Sequence, residues 1–199
     1  KHDFRKLTNL CECGSPLLVR YDLDALSREV KPSDWQKRPE GLWRYRELLP
    51  VLDEKNIVSL GEGGTPVFPL EEMGKKYGLN KLLVKDEGMN PTGTFKARGA
   101  SVGVSKAKEL GAQTIAMPTA GNAGAAWAAY SARAGIKMIV AMPEDAPATT
   151  QAECVAYGAD TYLVDGLISD AGRYVRQGVA KHGWFEAATL KEPKATHSA

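Results

Sequence analysis

From Leu82 onward, short apolar runs alternate with longer stretches whose apolar positions recur every three or four residues. The pattern predicts strands at 82–85, 114–117, 137–141 and 161–164, and helices at 95–110, 124–134, 148–157 and 169–182. Gly111, Gly135 and Gly158 stand where the first three of these helices should end. Such alternation predicts an α/β fold, with parallel strands joined by right-handed crossovers. Ahead of it come a strand at 57–60, a glycine-rich loop at 61–66 and a short helix at 71–77, stopped by Gly78. Residues 1–56 read as an N-terminal arm: a short strand at 17–21, a middle marked by Trp35 and Pro39, and a helix near 42–49. Residues 57–199 then form the α/β domain.

Two connections in this pattern carry chemistry. Asn90-Pro91-Thr92-Gly93 reads as a turn, because proline presets φ while Asn and Gly tolerate turn geometry. Lys96 therefore falls in the first turn of the helix that follows. There the positive end of the helix dipole disfavours an ammonium and favours the neutral amine that Schiff-base chemistry needs. The plain alternative is a solvated surface lysine. The second connection, Thr119-Ala120-Gly121-Asn122-Ala123-Gly124, joins a buried strand to an alanine-rich helix. Its glycines allow close backbone approach, and free amides at a helix start suit an anion such as a carboxylate. Asn122 is either an ordinary helix cap or an amide donor for a phenolic oxygen on a cofactor ring. Gly121-Asn122-Ala123-Gly124 lacks the third glycine in register and the later acidic residue of a dinucleotide fingerprint. Both connections are expected at the carboxyl ends of strands, where open α/β sheets bind ligands.

Composition narrows the setting. With 199 residues, 43% of them hydrophobic, the chain can bury a sizeable core. A net charge of +2, from 26 basic and 24 acidic residues spread along the chain, argues against nucleic-acid or membrane-surface partners. No apolar run reaches membrane-spanning length, and no signal peptide is visible. Three cysteines form no disulfide framework, which fits a reducing, cytoplasmic compartment. Cys11-Glu12-Cys13 has the wrong spacing for a zinc knuckle and reads as two plain thiols, so no metal is expected; the alternative is half of a metal site whose second cysteine pair would lie upstream. His2, His182 and His197 read as surface residues, and Trp127 and Tyr130 as core.

The ordered pair, Asn90-Pro91-Thr92-Gly93-Thr94-Phe95-Lys96-Ala97-Arg98-Gly99 and then Thr119 to Gly124, resembles the cofactor lysine and asparagine loop of pyridoxal-phosphate enzymes of the tryptophan-synthase-β type, most closely the threonine synthase family. Gly61-Glu62-Gly63-Gly64-Thr65-Pro66, Lys85-Asp86-Glu87-Gly88-Met89, Ala132-Arg133-Ala134-Gly135-Ile136-Lys137, Met142-Pro143 and Leu190-Lys191-Glu192-Pro193 are similar to that family as well. The resemblance implies a three-layer parallel-sheet domain in a cytoplasmic, dimeric enzyme that converts O-phosphohomoserine and water to threonine and phosphate. It implies that Lys96 holds pyridoxal 5'-phosphate and moves protons, and that Asn122 meets the cofactor ring oxygen. Thr119, Ala120, Gly121, Asn122 and Ala123 would then grip the substrate carboxylate. Three departures stand out. Ala97 replaces a common aspartate, Ala123 replaces an occasional hydroxyl residue, and the sequence diverges after Pro193. The family's glycine-rich loop for the cofactor phosphate does not appear, so the resemblance implies an N-terminal domain without its C-terminal half, binding cofactor weakly and self-associating. Phe95-Lys96-Ala97-Arg98-Gly99-Ala100 also matches a serine/threonine dehydratase variant, the alternative enzyme. An inactive domain that pairs with a partner is the non-enzymatic alternative.

Overall fold

A computed structural model describes residues 2–6, 8 and 10–188. Its centre is a four-stranded parallel sheet in the order β5-β4-β3-β6, formed by β3 (Thr114–Pro118), β4 (Lys137–Pro143), β5 (Asp160–Val164) and β6 (Phe185–Glu186). The connecting helices are α5 (Asn122–Ala134), α6 (Ala148–Ala156) and α7 (Ile168–His182), with α4 (Lys96–Glu109) leading into β3. Each predicted helix from 95 to 182 is present, with ends shifted by no more than two residues. Gly111, Gly135 and Gly158 follow α4, α5 and α6 at φ of 79°, 69° and 83°, a left-handed turn that costs glycine little.

The pleat of β3 and β4 sorts the core into two sides. Ile115, Met117, Met138, Val140 and Met142 face α4, α5 and α6, joining Ala97, Val104, Ala126, Trp127 and Tyr130. Ala116, Ile139 and Ala141 face α7, meeting Ala171 and Val175. Three layers result, with both sheet faces covered as a parallel sheet requires. Helix α5 is buried along most of its length because α4 packs over it, and its run of alanines lets the two backbones approach. Gly103 of α4 lies flat against the Trp127 ring, leaving no room for a side chain.

Several expectations fail upstream of α4. The apolar run ending at Lys85 does form a strand, β2 (Leu83–Lys85). It pairs antiparallel with β1 (Val67–Pro69) in a separate two-stranded sheet, so the lysine turn does not follow a strand of the parallel sheet. Residues 57–60 form no strand, because side chains of α4 satisfy the backbone at Val58: its N–H donates to Ser105 Oγ (2.8 Å), and its carbonyl accepts from Ser101 Oγ (2.8 Å). Residues 17–21 likewise form no strand; the pairing there is limited to isolated bridges, among the described residues one between Leu10 and Pro16. The predicted helix at 42–49 is a 3₁₀ segment, Leu42–Leu48, broken at Tyr45. Short helices α1 (Leu23–Glu29), α2 (Pro32–Gln36) and α3 (Glu71–Lys76) complete the chain. The segment Leu190 to Pro193 and His197 lie outside the described residues.

Candidate active site

The turn before Lys96 is a 3₁₀ segment, Pro91–Gly93, in which Thr92 (φ 64°) and Gly93 (φ 67°) are both left-handed. A β-branched residue held there costs on the order of 1–3 kcal/mol, a kind of strain that clusters at ligand sites. Thr92 Oγ1 is buried and has no hydrogen-bond partner. Thr94 Oγ1 then accepts from the Lys96 N–H (3.2 Å), and the Thr94 carbonyl accepts from Ala97 (3.3 Å), which starts α4 at the predicted place. Lys96 is half-buried, with Nζ 4.5 Å from the centroid of the Phe95 ring.

The second loop extends β3. Thr119 donates its N–H to the Ala141 carbonyl (3.0 Å), prolonging the pairing with β4, and its Oγ1 accepts from the Gly121 N–H (3.2 Å). Gly121, not Asn122, caps α5, with an extended backbone and no side-chain hydrogen bond to the helix start. Asn122 is the first helical residue and is exposed, as is Ala120; Ala123 is half-buried and Thr119 buried. The Asn122 side-chain amide is thus not spent on capping, and no side chain blocks the first-turn amides, which suit an anion. Gly124 is pressed into the core: a Cβ there would stand 2.6 Å from Thr119 Cγ2 and 3.1 Å from Cys154 Sγ.

Topology brings the two loops together. Helix α4 runs down into the start of β3 and α5 leaves its carboxyl end, so both helices begin at the same end of the sheet. The Pro91–Gly93 turn touches α5 directly. Strand β3 is also where winding reverses: the chain steps outward to β4 and β5, then returns to set β6 on the other side of β3. Ligands of open α/β sheets bind at such a reversal, outside the strand carboxyl ends.

A polar network, which residue pattern alone does not single out, fixes the lysine turn. Arg98 on α4 grips Glu87 through both oxygens (2.7 Å each) and donates to Thr65 Oγ1 (3.2 Å). Thr65 Oγ1 donates to Glu87 Oε1 (2.7 Å), and Asn90 Nδ2 donates to Glu87 Oε2 (2.9 Å). Asn90 Oδ1 accepts from the Gly63 N–H (3.0 Å), tying the 61–66 loop to the same turn. The Arg98 guanidinium holds the Glu87 carboxyl down at about 2, helped by Thr65 and Asn90 against partial burial. Because the folded-state value is depressed from 4.5, this stabilisation is fully present above about pH 4.5 and disappears as pH falls towards 2. A tenfold change in proton affinity is worth about 1.4 kcal/mol, and solvent screens part of this pair's attraction. Glu87→Gln should therefore flatten the acid limb of stability by roughly 2–3 kcal/mol. Urea titrations of both proteins between pH 5 and 2 check this.

The remaining candidates lie elsewhere. Trp127 and Tyr130 are core residues, and His182 stacks on Trp184 at the end of α7. Cys11 and Cys13 are free thiols on the N-terminal arm, and the Ser15 hydroxyl lowers the exposed Cys13 thiol to about 7. Among the described residues no helix is long and apolar enough to cross a membrane.

Residues 58–198 match the family described as pyridoxal-phosphate dependent enzymes. A threonine synthase of Methanocaldococcus jannaschii is 44% identical over 177 residues, covering 88% of this chain and 44% of that protein. One from Halalkalibacterium halodurans is 47% identical over 136 residues, covering 68% of this chain and 38% of that protein. Among solved structures, an O-ureido-L-serine synthase superposes with a TM-score of 0.56 at 30% identity, over 61% of this chain and 40% of its own. The chain thus spans about two-fifths of the length of the relatives it matches.

Proposed function

This chain belongs to the family of pyridoxal-phosphate dependent enzymes, and from that premise we propose that its protein is a threonine synthase, converting O-phosphohomoserine and water to threonine and phosphate. The observation that carries the reading is the contact of the Pro91–Gly93 turn, which leads into Lys96, with α5, whose start lacks a side-chain cap, in a chain 44% identical to a threonine synthase. The residues present fit the cofactor. A primary amine for its aldehyde, an uncapped helix start for a carboxylate and the orphaned Thr92 hydroxyl lie on adjoining segments.

Pyridoxal phosphate, when bound, supplies the electron sink for chemistry at the substrate carbons. The chain's own groups do the rest. Lys96 would hold the cofactor through Nζ and, with its amine free, would carry protons between the substrate carbons. The backbone amides of Asn122 and Ala123, with Thr119, Ala120 and Gly121 shaping the loop, would orient the carboxylate. Asn122 would offer its side-chain amide to the cofactor ring oxygen. The Arg98–Glu87 grip keeps the lysine turn in register. In this reading residues 57–199 are the α/β domain that carries the site, residues 1–56 are an arm packed on it, and the protein works as a cytoplasmic homodimer.

The intact protein should release phosphate from O-phosphohomoserine and form threonine in equal amounts, with only slow deamination of threonine. Fast 2-oxobutyrate formation without phosphate release would replace this reading by the dehydratase.

A further inference from the structure

Glu62 is the one acidic side chain among the largest fully buried ones of the described residues, and the chemistry proposed above does not use it. It sits in a loop that turns on left-handed glycines at 61, 63 and 64 (φ 91°, 95° and 62°), so the backbone can fold around a side chain pointing inward. Its Oε1 accepts from Trp43 Nε1 (2.9 Å) on the N-terminal arm and shares the single Ser101 hydroxyl proton of α4 (2.5 Å) with the Val58 carbonyl (2.8 Å). Its Oε2 accepts from Tyr130 Oη (2.6 Å) on α5, the Leu60 N–H (3.0 Å) and Ser59 Oγ (3.2 Å). Five donors from four segments thus converge on one carboxylate.

We propose that Glu62 is a positioning residue: an ionised carboxylate that clamps α4 to α5 and so fixes Lys96 relative to Asn122. Ser101 lies on the helix that Lys96 begins, and Tyr130 on the helix that Asn122 begins. One residue further along, Gly63 holds Asn90 of the lysine turn, so the same loop controls both the spacing of the helices and the entry to α4. The donor set demands a carboxylate. Each oxygen lies within 3.0 Å of an N–H that can only donate, the Trp43 indole on one side and the Leu60 amide on the other. A glutamine amide would therefore set donor against donor in either orientation. Burial pushes the carboxyl up, but the Ser101 and Tyr130 hydroxyls together with backbone N–H groups outweigh it and hold it below the usual carboxylate range. Burying such a charge is tolerated only with its hydrogen bonds complete.

The inference takes Lys96 and Asn122 as site residues from the proposed function, but its main readout needs no cofactor. Amide hydrogen exchange is compared in the unaltered chain, Glu62→Gln, Tyr130→Phe and Val175→Ala, the last a fully buried residue on the opposite sheet face. Glu62→Gln should speed exchange roughly tenfold or more in the first turns of α4 and α5 while sparing β4 and α7. Trp43 emission should change as its indole loses the carboxylate. Val175→Ala should instead loosen α7 and leave the starts of α4 and α5 alone. Tyr130→Phe, which keeps the charge, should give the same local pattern in weaker form, and it stands in if Glu62→Gln fails to fold. Pyridoxal phosphate with borohydride should label Lys96 about tenfold more slowly in Glu62→Gln, and at the normal rate in Val175→Ala. Uniform loss of protection across the chain, or no change at α4 and α5 in either Glu62→Gln or Tyr130→Phe, would overturn the proposal. Failure of the functional reading shows differently, as absence of label on Lys96 in the unaltered chain.

Discussion

Replacing Lys96 by alanine should eliminate borohydride-fixed attachment of pyridoxal phosphate and reduce turnover of the intact protein by at least the roughly 10²–10⁴-fold that a placed proton-transfer group contributes. The loss should exceed that of any other single lysine replacement, because in the proposed function Nζ both holds the cofactor and carries the proton. Lys85 is the sharpest control. It lies one strand earlier, on the same approach, but its Nζ donates to the Thr65 carbonyl (2.9 Å) and is committed to structure. Peptide mapping after reduction should find the pyridoxyl group on Lys96. A label on Lys85 or Lys106 would remove the basis of the assignment. Lys96→Ala should scarcely change stability, since the helix start is fixed by Thr94 and by the Arg98–Glu87 pair rather than by the lysine side chain.

Gly124→Ala should have the second large effect, this time on both folding and binding. The added methyl would meet Thr119 Cγ2 at 2.6 Å, Cys154 Sγ at 3.1 Å and Val140 Cγ1 at 3.5 Å, all in the packed interior. Overpacking of this kind costs about 1–3 kcal/mol. Relief by moving the start of α5 away from β4 would displace the Asn122 and Ala123 amides that the proposed function assigns to the substrate carboxylate. Gly99→Ala is the counterpart: a Cβ there meets nothing within 4 Å, and replacing glycine by alanine inside a helix is worth roughly 0.5–1 kcal/mol in the stabilising direction. Urea midpoints that move in opposite directions for the two variants would confirm the packing argument. Equal midpoints would contradict it.

What the residue pattern reveals, and what it conceals, follows from how local the causes are. The helices from α4 to α7 are specified by apolar periodicity and by glycines just past their ends, both properties of a single segment. Leu82-Leu83-Val84 announces a strand but not its partner: an apolar run gives extended backbone, whereas the antiparallel register with Val67 to Pro69 depends on a segment beyond α3. Residues 57–60 look like a strand because they are apolar, yet the groups that bind Val58 are serine hydroxyls on α4, more than a helix away in sequence. Strand β6 is invisible in the sequence because two residues, one of them an acid, carry no pattern at all. For the candidate site, the helix-start positions of Lys96 and Asn122 are legible from loop chemistry alone, whereas the cap of α5 is Gly121 rather than Asn122. Glu62 is not legible as a buried group. An acidic residue between glycines reads as solvated, and only the folded positions of Trp43, Ser101 and Tyr130 show that it faces inward.

The placement of β6 beside β3 has a kinetic side. Every other pairing in the parallel sheet joins neighbours along the chain, and these can form as soon as each strand–helix unit is complete. Ile115 and Ala116 wait for Phe185 and Glu186, which arrive only after three further helices. Until then the inner edge of β3, directly beneath the Asn122 loop, is an open row of amide and carbonyl groups able to pair with another chain. Long-range closure of this kind is slow compared with local pairing. A nascent or truncated chain ending before Phe185 would carry its stickiest edge beside the proposed Asn122 site. The two-residue length of β6 then looks economical, closing that edge while offering little new edge of its own.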